Sequence, residues 1–306
     1  MLTLFATAKP FQGHVATTQR NAIQSWTLLQ PRPQVILLGD DEGTAEVAKE
    51  LGVEHVAEVE RSDYGTPLLN DLFEQAQRLA TYDLLCYVNA DIILMNDFMT
   101  ALRQVANQMP RFLMVGRRMD VDVKGPIDFS AGWEDKLRAH IGQHGRLHPP
   151  AGIDYFAFRR GMWGDIPRFA IGRPAFDNWL IYRARALGAS VVDATDVVKV
   201  IHQNHDYSHV PTGAIGVWEG PEAKRNMELT GGRKHIFTLR DATDKLAPSG
   251  GGPVLKRKYF FSHLKVIPRL YSKLAYYKDA VRALTIKYSR MLWLLLTKVA
   301  TSRRSP

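Results

Sequence analysis

The sequence has a single cysteine, Cys86, among its 306 residues, so it cannot form an internal disulfide framework. This suits a reducing compartment, and a free thiol in the apolar run 84–88 is typical of a buried side chain. The sequence also lacks a run of about 18 to 20 apolar residues, the length that spans a bilayer. Residues 1–7 have neither a basic region nor a sustained apolar region, so they indicate a first strand and not a signal peptide. We therefore expect a cytoplasmic protein.

Charge of one sign is concentrated at the end of the chain. Residues 253–306 carry 13 Lys or Arg and one acidic residue, whereas the other 252 residues carry 27 basic and 30 acidic groups. The body of the protein is thus slightly acidic. A protein that binds nucleic acid in a groove would spread Lys and Arg over its fold. We therefore predict that the tail contacts an anionic surface and that nucleic acid is not a partner.

Strand and helix signals alternate over the first hundred residues. This is the pattern of an α/β fold with a doubly wound, mainly parallel sheet. Continuous apolar runs predict strands at 35–38 and 84–88 that are buried on both faces. A helix is predicted at 45–51, where Gly52 ends it, and another at 67–80.

The second half of the sequence is less regular. Residues 121–150 mix His, Gly, Pro and charge, which predicts irregular connections. A glycine run near residue 250 predicts a linker. We therefore divide the chain into a main α/β domain (1–248), a linker (249–253) and a basic helical tail (254–306).

Polar side chains follow two of the predicted strands directly. Asp40 and Asp41 come after the second strand, and Asn89 and Asp91 come after the strand at 84–88. In open α/β sheets, ligands bind beyond the carboxyl ends of the strands. Asn and Asp are also common wherever strands stop, so the residues alone leave a structural role open.

The segment 87–94, Tyr-Val-Asn-Ala-Asp-Ile-Ile-Leu, resembles the metal-binding triplet of glycosyltransferases with the GT-A fold, specifically the large inverting family 2 of bacterial sugar transferases. The resemblance implies that Asp91 binds a divalent metal, Mn²⁺ or Mg²⁺, with Asn89 in place of the first acid. Leu68-Leu69-Asn70 stands where the family has an Arg-Asn pair, and the Arg is missing. The resemblance implies nucleotide-sugar contacts from the following residues: Thr7, Asp40, Asp41, Asn70, Asn89 and Asp91.

Two later segments extend the resemblance to the acceptor side. Residues 152–160 are similar to the family's acceptor-side strand, and residues 177–184 match its Asp-x-x-Leu-x-x-Arg-Ala helix. The second match implies that Asp177 is the catalytic base, although Asp177 also suits a helix N-cap. The residues expected on the acceptor side are Asp154, Tyr155 and Trp179.

Three histidines fall within residues 202–209. They make a poor zinc site, because Cys is absent and no helix is predicted to align the imidazoles. The resemblance implies a histidine after the last strand that completes the metal site. His202 occupies that place and His205 is the competing choice; a solvated polar loop without a ligand is the alternative.

The resemblance implies sugar transfer with inversion, and the chemistry of these residues suits that reaction. A divalent cation stabilises charge on a departing phosphate, and a carboxylate on the opposite face removes a proton from the acceptor. We predict transfer from a UDP- or GDP-sugar to a hydroxyl of a glycan or lipid-linked acceptor. Two alternatives stay open: a nucleotidyltransferase, although residues 8–13 match its Gly-rich loop poorly, and a GT-A-like membrane-surface adaptor without activity.

The basic tail has helical periodicity. Apolar residues from Tyr277 to Val299 recur at steps of three and four, and Lys278, Arg282 and Lys287 fall off that stripe. Such a helix lies in the interface of an anionic bilayer, so we predict peripheral association with the inner face of the membrane. The alternative is a helix that packs on the catalytic domain or on a dimer partner.

Overall fold

The computed structural model describes residues 1–204 and 213–257 of the chain. These residues belong to one compact unit, Met1–Lys258. His205 and the predicted amphipathic helix from Tyr277 to Val299 lie outside the described residues.

Short strands alternate with helices, as the sequence pattern predicts. The strands are β1 (Leu2–Ala6), β2 (Gln34–Leu38), β3 (Glu54–Val56), β4 (Leu84–Val88), β5 (Ile92–Ile93), β6 (Phe112–Val115), β7 (Arg118–Val121), β8 (Arg146–Leu147), β9 (Tyr155–Arg159), β10 (Ser190–Asp193), β11 (Val200–Gln203), β12 (Asp244–Ala247) and β13 (Val254–Arg257). The α-helices are α1 (Gly13–Thr27), α2 (Thr44–Leu51), α3 (Leu69–Leu79), α4 (Asn96–Gln108), α5 (Trp133–His144), α6 (Phe176–Ala186), α7 (Gly213–Glu219) and α8 (Pro221–Leu229). Within the described ranges, no helix has the length and apolar character needed to cross a membrane.

Nine strands form the main sheet, in the order β13-β12-β10-β6-β9-β4-β1-β2-β3. Strand β9 runs antiparallel to both of its neighbours, β4 and β6, and β13 runs antiparallel to β12. The other pairs in this sheet are parallel. The predicted fold class, an α/β fold with a mainly parallel sheet, is therefore confirmed.

The central strands are almost entirely apolar because both faces of the sheet are covered. Strand β1 is buried at every position. On one face, the Phe5 ring meets Phe73 of α3 at 5.1 Å between centroids, and Phe73 stacks on Phe158 of β9 at 5.5 Å. On the other face, Trp26 of α1 is fully buried and donates a hydrogen bond to the Ile92 carbonyl at 2.8 Å. This packing fixes the carboxyl ends of β1 and β4.

A second, small sheet has the strand order β5-β11-β7-β8, and all four strands follow β4 in the chain. Strand β11 pairs antiparallel with β5 and parallel with β7. In that register His202 is the partner of Asp120 on one side and of Ile92 on the other. The small sheet therefore places a histidine and an acid close to the residues that follow β4.

Two sequence predictions need correction. Residues 121–150 are not mainly irregular, because they contain α5, whose Leu137 and Ile141 are buried against the small sheet. The glycine run is a turn and not a linker to the tail, since Ala247 pairs with Val254 across it. An unpaired sheet edge presents free backbone groups, and β13 satisfies those of β12. Residues 254–257 thus belong to the main sheet.

Candidate active site

A cavity of about 670 Å³ opens at the carboxyl ends of β1 and β4. Its wall also includes residues from the small sheet and from the start of α6. The structure brings the following predicted site residues to this wall: Thr7, Asp41, Asn89, Asp91, Asp154, Asp177 and His202. The strand-end argument thus leads to a single cleft.

Asp154 is the centre of a hydrogen-bonded group in the cavity. It is 6% exposed, and Arg118 Nη1 lies 3.0 Å from each of its carboxylate oxygens. Asn89 Nδ2 donates to Asp154 Oδ1 at 2.7 Å. Burial lowers the pKa of Arg118, but Asp154 and Asp120 outweigh it and raise that pKa above its ordinary value. Asp154 is therefore a paired carboxylate, and it holds the amide of Asn89.

Asp120 connects two histidines beside this group. It accepts from Arg118 Nε at 2.8 Å and lies 2.6 Å from His148 Nδ1 and 3.2 Å from His202 Nδ1. Burial opposes ionisation of Asp120, yet the hydrogen bonds with His202 and His148 hold the pKa of its carboxyl well below the usual range. Burial likewise opposes a charged His202, but Asp120 and Asp91 raise the pKa of His202. Asp120 thus fixes the orientation of the His202 ring.

The opposite edge of the His202 ring faces Asp91. His202 Nε2 lies 3.7 Å from Asp91 Oδ2, and both side chains are less than one-fifth exposed. A carboxylate and an imidazole at this separation are suited to sharing a divalent cation. Among the described residues, no group of three or more His, Cys, Asp or Glu side chains is placed to hold a metal ion. The pair would therefore need further oxygen ligands from a bound substrate or water.

Asp177 lies in the first turn of α6 and faces the cavity. Ala175 occupies the N-cap position, so the alternative prediction that Asp177 is the N-cap of this helix is wrong. Burial raises the pKa of Asp177 to about 7, and the charge of Asp154 adds to the rise, while the backbone hydrogen bond from Asn178 opposes it. A carboxyl with a pKa near 7 is suited to accept a proton at neutral pH.

The backbone before Asp177 is strained. Ala175 has φ 87°, and it is the one non-glycine residue with positive φ among the described residues. A left-handed conformation costs about 1–2 kcal/mol for a residue with a Cβ. Such strain clusters at functional sites, where the surrounding structure holds it in place. Here it fixes the direction in which α6 enters the cavity wall.

Arg61, which the sequence analysis did not identify, lies beside Asp41. Arg61, in the loop after β3, donates to Asp41 Oδ2 at 2.9 Å and to Asp40 Oδ1 at 2.6 Å. Arg61 Nη1 donates to the Gly65 carbonyl at 2.8 Å. Thr7 Oγ1 faces the same end of the cavity, is buried, and has no hydrogen-bond partner among the described residues.

Lys9 and Arg173 add positive charge to the wall. The Lys9 backbone is held by Gln19, which accepts from Lys9 N at 2.7 Å and donates to Lys9 O at 2.8 Å. Burial lowers the pKa of Lys9, Asp91 opposes this and Arg173 adds to it. Arg173 is paired with Glu222 at 2.8 Å. Two basic residues thus line the same wall as Asp91.

Two aromatic residues expected on the acceptor side lie in the core instead. Tyr155 is fully buried, with its ring against Phe98 of α4 at 5.5 Å. Trp179 is 6% exposed and packs on Phe169 at 5.3 Å. Neither lines the cavity. Both assignments are therefore corrected, because apolar neighbours cover the two rings.

Two predicted nucleotide contacts also lie outside the cavity wall. The Asp40 side chain is 68% exposed and turns to Arg61 at the surface. Asn70, in the first turn of α3, donates to Glu60 at 3.4 Å. Neither side chain lines the cavity. His205, the competing metal ligand, lies outside the described residues.

Sequence reasoning missed several residues of the wall, which are Lys9, Arg61, Arg118, His148 and Arg173. Lys9 follows the end of β1 and Arg118 follows the end of β6, so the strand-end rule applied to Asp91 would have found both. His148 had no such signal. It fits because residue 152 is glycine, where a Cβ would collide with the His148 ring.

No protein-family profile matches the chain, and no curated protein matches it. Solved structures similar to it include a mannosyltransferase from Pyrobaculum calidifontis in complex with GDP-mannose and Mn²⁺, at 15% identity and a TM-score of 0.40. That match covers 66% of this chain and 56% of the mannosyltransferase. Staphylococcus aureus TarS 1–349 matches at 8% identity and a TM-score of 0.44, over 66% of this chain and 60% of that one.

A third similar structure is glucosyl-3-phosphoglycerate synthase from Mycobacterium tuberculosis in complex with Mn²⁺, uridine diphosphate and phosphoglyceric acid. It is 14% identical with a TM-score of 0.45, and the match covers 84% of this chain and 86% of that one. The matched structures thus include glycosyltransferases, the class that the sequence resemblance named. With TM-scores below 0.5, these likenesses define neither a substrate nor a reaction for this chain.

Proposed function

We propose that this protein is a metal-dependent glycosyltransferase that moves a sugar from a nucleoside-diphosphate sugar to an acceptor hydroxyl, with inversion at the anomeric carbon. The observation that carries the proposal is that one cavity holds two separate chemical functions. The Asp91–His202 pair is suited to a divalent cation, and Asp177 is suited to take a proton. An inverting, metal-assisted transfer of a sugar from a diphosphate donor uses both.

The residues fit a Mn²⁺ or Mg²⁺ site in which the protein supplies some of the ligands and the substrate supplies the others. Mg²⁺ is usually bound by one or two carboxylates together with substrate phosphates, and not by a closed protein cage. Asp91 and His202 supply such a partial set, and Asp120 orients the histidine from behind. A cation held there would supply positive charge to stabilise the departing diphosphate. The basic residues Lys9 and Arg173 line the same wall as Asp91.

The proton-accepting role belongs to Asp177 and not to Asp154. Both carboxylates line the cavity, but Asp154 is paired with Arg118 through both of its oxygens. Proton transfer to Asp154 would break that pair. Asp177 has a pKa near 7, so it is available as the ionised base at neutral pH. A single displacement assisted by one base inverts the anomeric configuration, and NMR of the product tests this.

The nucleoside is proposed to bind at the Thr7–Asp41 end of the cavity. Thr7 has a hydroxyl without a partner among the described residues, and Asp41 is held in place by Arg61. A buried hydroxyl without a partner gains a hydrogen bond from a ribose or a base. The donor class is a UDP- or GDP-sugar, with the diphosphate extending from this end toward Asp91.

A thermal-shift screen with UDP-, GDP- and CMP-sugars tests the proposal. We expect one UDP- or GDP-sugar to raise the melting temperature by about 5 °C at a hundredfold excess over Kd, since ligands of the folded state stabilise it by mass action. The shift should require Mn²⁺ or Mg²⁺ and disappear with EDTA. If no nucleotide sugar shifts the melting temperature, the enzyme proposal fails and the adaptor alternative gains support.

We further propose that the acceptor is a glycan or a lipid-linked sugar and that the tail holds the enzyme at the inner face of the membrane. Residues 259–306 contain ten Lys or Arg and one acid. A chain that ends at Lys258 keeps all the described strands, so we expect it to stay folded and to lose binding to phosphatidylglycerol vesicles. Each cation near an anionic surface contributes about 1 kcal/mol, and this attraction is screened by salt.

Co-sedimentation at two salt concentrations measures this loss. The control is the same pair of proteins with neutral phosphatidylcholine vesicles, which should bind the full chain less well. If the shortened chain pellets with anionic vesicles as well as the full chain does, the tail is not the membrane anchor. If it aggregates without vesicles, the tail packs on the catalytic domain instead.

A further inference from the structure

Two large aromatic side chains are exposed at the mouth of the cavity. Tyr64 is 66% exposed and Trp218 is 56% exposed, and both line the cavity wall. Single exposed aromatics are common on protein surfaces and need no explanation. Two exposed rings from separate elements that line one cavity instead indicate a ligand contact, because exposed apolar surface next to a cleft is typical of binding sites.

One buried carboxylate joins the segments that carry these rings. Glu222, in the first turn of α8, is 7% exposed. It accepts from Ser62 Oγ at 2.5 Å and from Thr66 Oγ1 at 2.9 Å, on either side of Tyr64. It is also paired with Arg173 of the cavity wall at 2.8 Å. Helix α8 follows α7, which carries Trp218, after the single residue Gly220.

The Glu222 contacts therefore hold the Tyr64 loop against the α7–α8 segment. An exposed ring on an untethered loop would lose conformational freedom when it binds a ligand, and that loss weakens binding. Because the loop is already fixed, less freedom is lost on binding. Buried Glu222 has no part in the proposed chemistry, so its three contacts are best explained by this positioning.

We propose that Tyr64 and Trp218 form an acceptor subsite that stacks a pyranose ring of a glycan. This inference rests on the proposed function and names the class of acceptor that binds at the exposed side of the cavity. The C–H face of a pyranose is apolar and carries partial positive charge, so it suits the negative face of an aromatic ring. Hydroxyl groups at the sugar edge stay in water, which matches rings that are about half exposed or more.

The position at the rim favours the acceptor over the donor. A donor diphosphate must reach Asp91, which is less than one-fifth exposed, so it lies in the inner part of the cavity. A glycan acceptor presents one hydroxyl to Asp177, while its other sugars extend out past the rim. Tyr64 and Trp218 are exposed aromatics of the cavity wall, so they are suited to contact those outer sugars.

Binding to an array of gluco-, galacto- and manno-oligosaccharides of two to six units tests the subsite. We expect the full-length protein to bind at least one series, and Trp218→Ala and Tyr64→Ala each to weaken that binding roughly two- to tenfold, the range for a lost aromatic contact. Trp218→Phe keeps a ring and should retain most of the affinity. The matched control is Ile215→Ala, because Ile215 is 70% exposed on the same helix but does not line the cavity.

Donor binding is measured on the same variants by thermal shift with UDP- and GDP-sugars, so that failure of the proposed function is seen separately. Unchanged donor shifts with weaker oligosaccharide binding support the subsite. The proposal is overturned if the wild type binds no oligosaccharide on the array, or if both alanine variants bind as the wild type does. It is also overturned if the variants lose only the donor shift, which would assign the rings to the nucleotide, or lose only vesicle binding.

Discussion

The Asp177→Asn variant is expected to bind the donor as the wild type does and to transfer sugar about 100- to 10,000-fold more slowly, the usual contribution of a general base. The carboxamide keeps the size of the side chain but does not accept the acceptor's proton. Asp177 is not one of the proposed metal ligands, and the carboxamide stays polar, so donor affinity should not change. Calorimetry gives the affinity, and product formation under saturating donor gives the rate.

Asp97→Asn is the matched control for this variant. Asp97 is the second residue of α4, as Asp177 is of α6, and burial likewise raises its pKa, although Arg138 opposes the rise. Asp97 does not line the cavity. We expect Asp97→Asn to transfer sugar at the wild-type rate. A wild-type rate for Asp177→Asn as well would move the base to another residue, with Asp154 next to be tested.

The pKa of Asp177 also sets the direction of the pH dependence. The base must be ionised, so the transfer rate of the wild type should rise with pH through about 7. Folding favours the protonated form, so the stability linked to this group is complete below about pH 4 and is lost as pH rises through about 7. The melting temperature of Asp177→Asn should therefore exceed that of the wild type by a margin that grows between these pH values. A constant difference in melting temperature would contradict the raised pKa.

Local sequence signals predicted the elements that their own residues determine. The five-residue apolar run of β4 has the predicted bounds, and Gly52 ends α2 with φ 62°, a conformation that glycine adopts without strain. Parallel strands end at the same edge of a sheet, so Asp41 and Asp91 were expected to lie near each other. The structure places both in one cavity wall.

Side chains that depend on pairing between distant segments could not be predicted in this way. Asp120 meets His202 because β7 pairs with β11, and His148 follows β8, which has only two residues. A strand of two residues has no periodicity to detect. The network behind the Asp91–His202 pair therefore emerges only from the tertiary structure.

The two misplaced aromatics have a similar explanation. An aromatic residue in a strand or helix indicates burial or binding equally well, and the choice depends on what covers it. Tyr155 is covered by Phe98 of α4, a helix that the sequence analysis did not predict. Conversely, Tyr64 and Trp218 lie in segments without a strong pattern, and only the structure places them at the cavity.

The Asp91→Ala variant is expected to lose Mn²⁺-dependent donor binding by at least about 100-fold, more than the loss of an outer-shell partner causes. The variant removes the carboxylate of the Asp91–His202 pair, and Asn89 is engaged with Asp154 at 2.7 Å. The fold should persist, because Gln203 hydrogen-bonds to the Asp91 backbone carbonyl, which alanine retains.

Asp83→Ala is the control, since Asp83 is exposed just before β4, at the end of that strand opposite to Asp91. It should bind the donor as the wild type does. Calorimetry with UDP- and GDP-sugars, with Mn²⁺ and with EDTA, measures the effect, and Mn²⁺ binding by EPR gives a readout that does not depend on turnover. An Asp91→Ala variant that binds Mn²⁺ and donor with wild-type affinity would remove Asp91 from the metal site. In that case the cation, if one is needed, must bind elsewhere, and the two functions assigned to this cavity would no longer belong together.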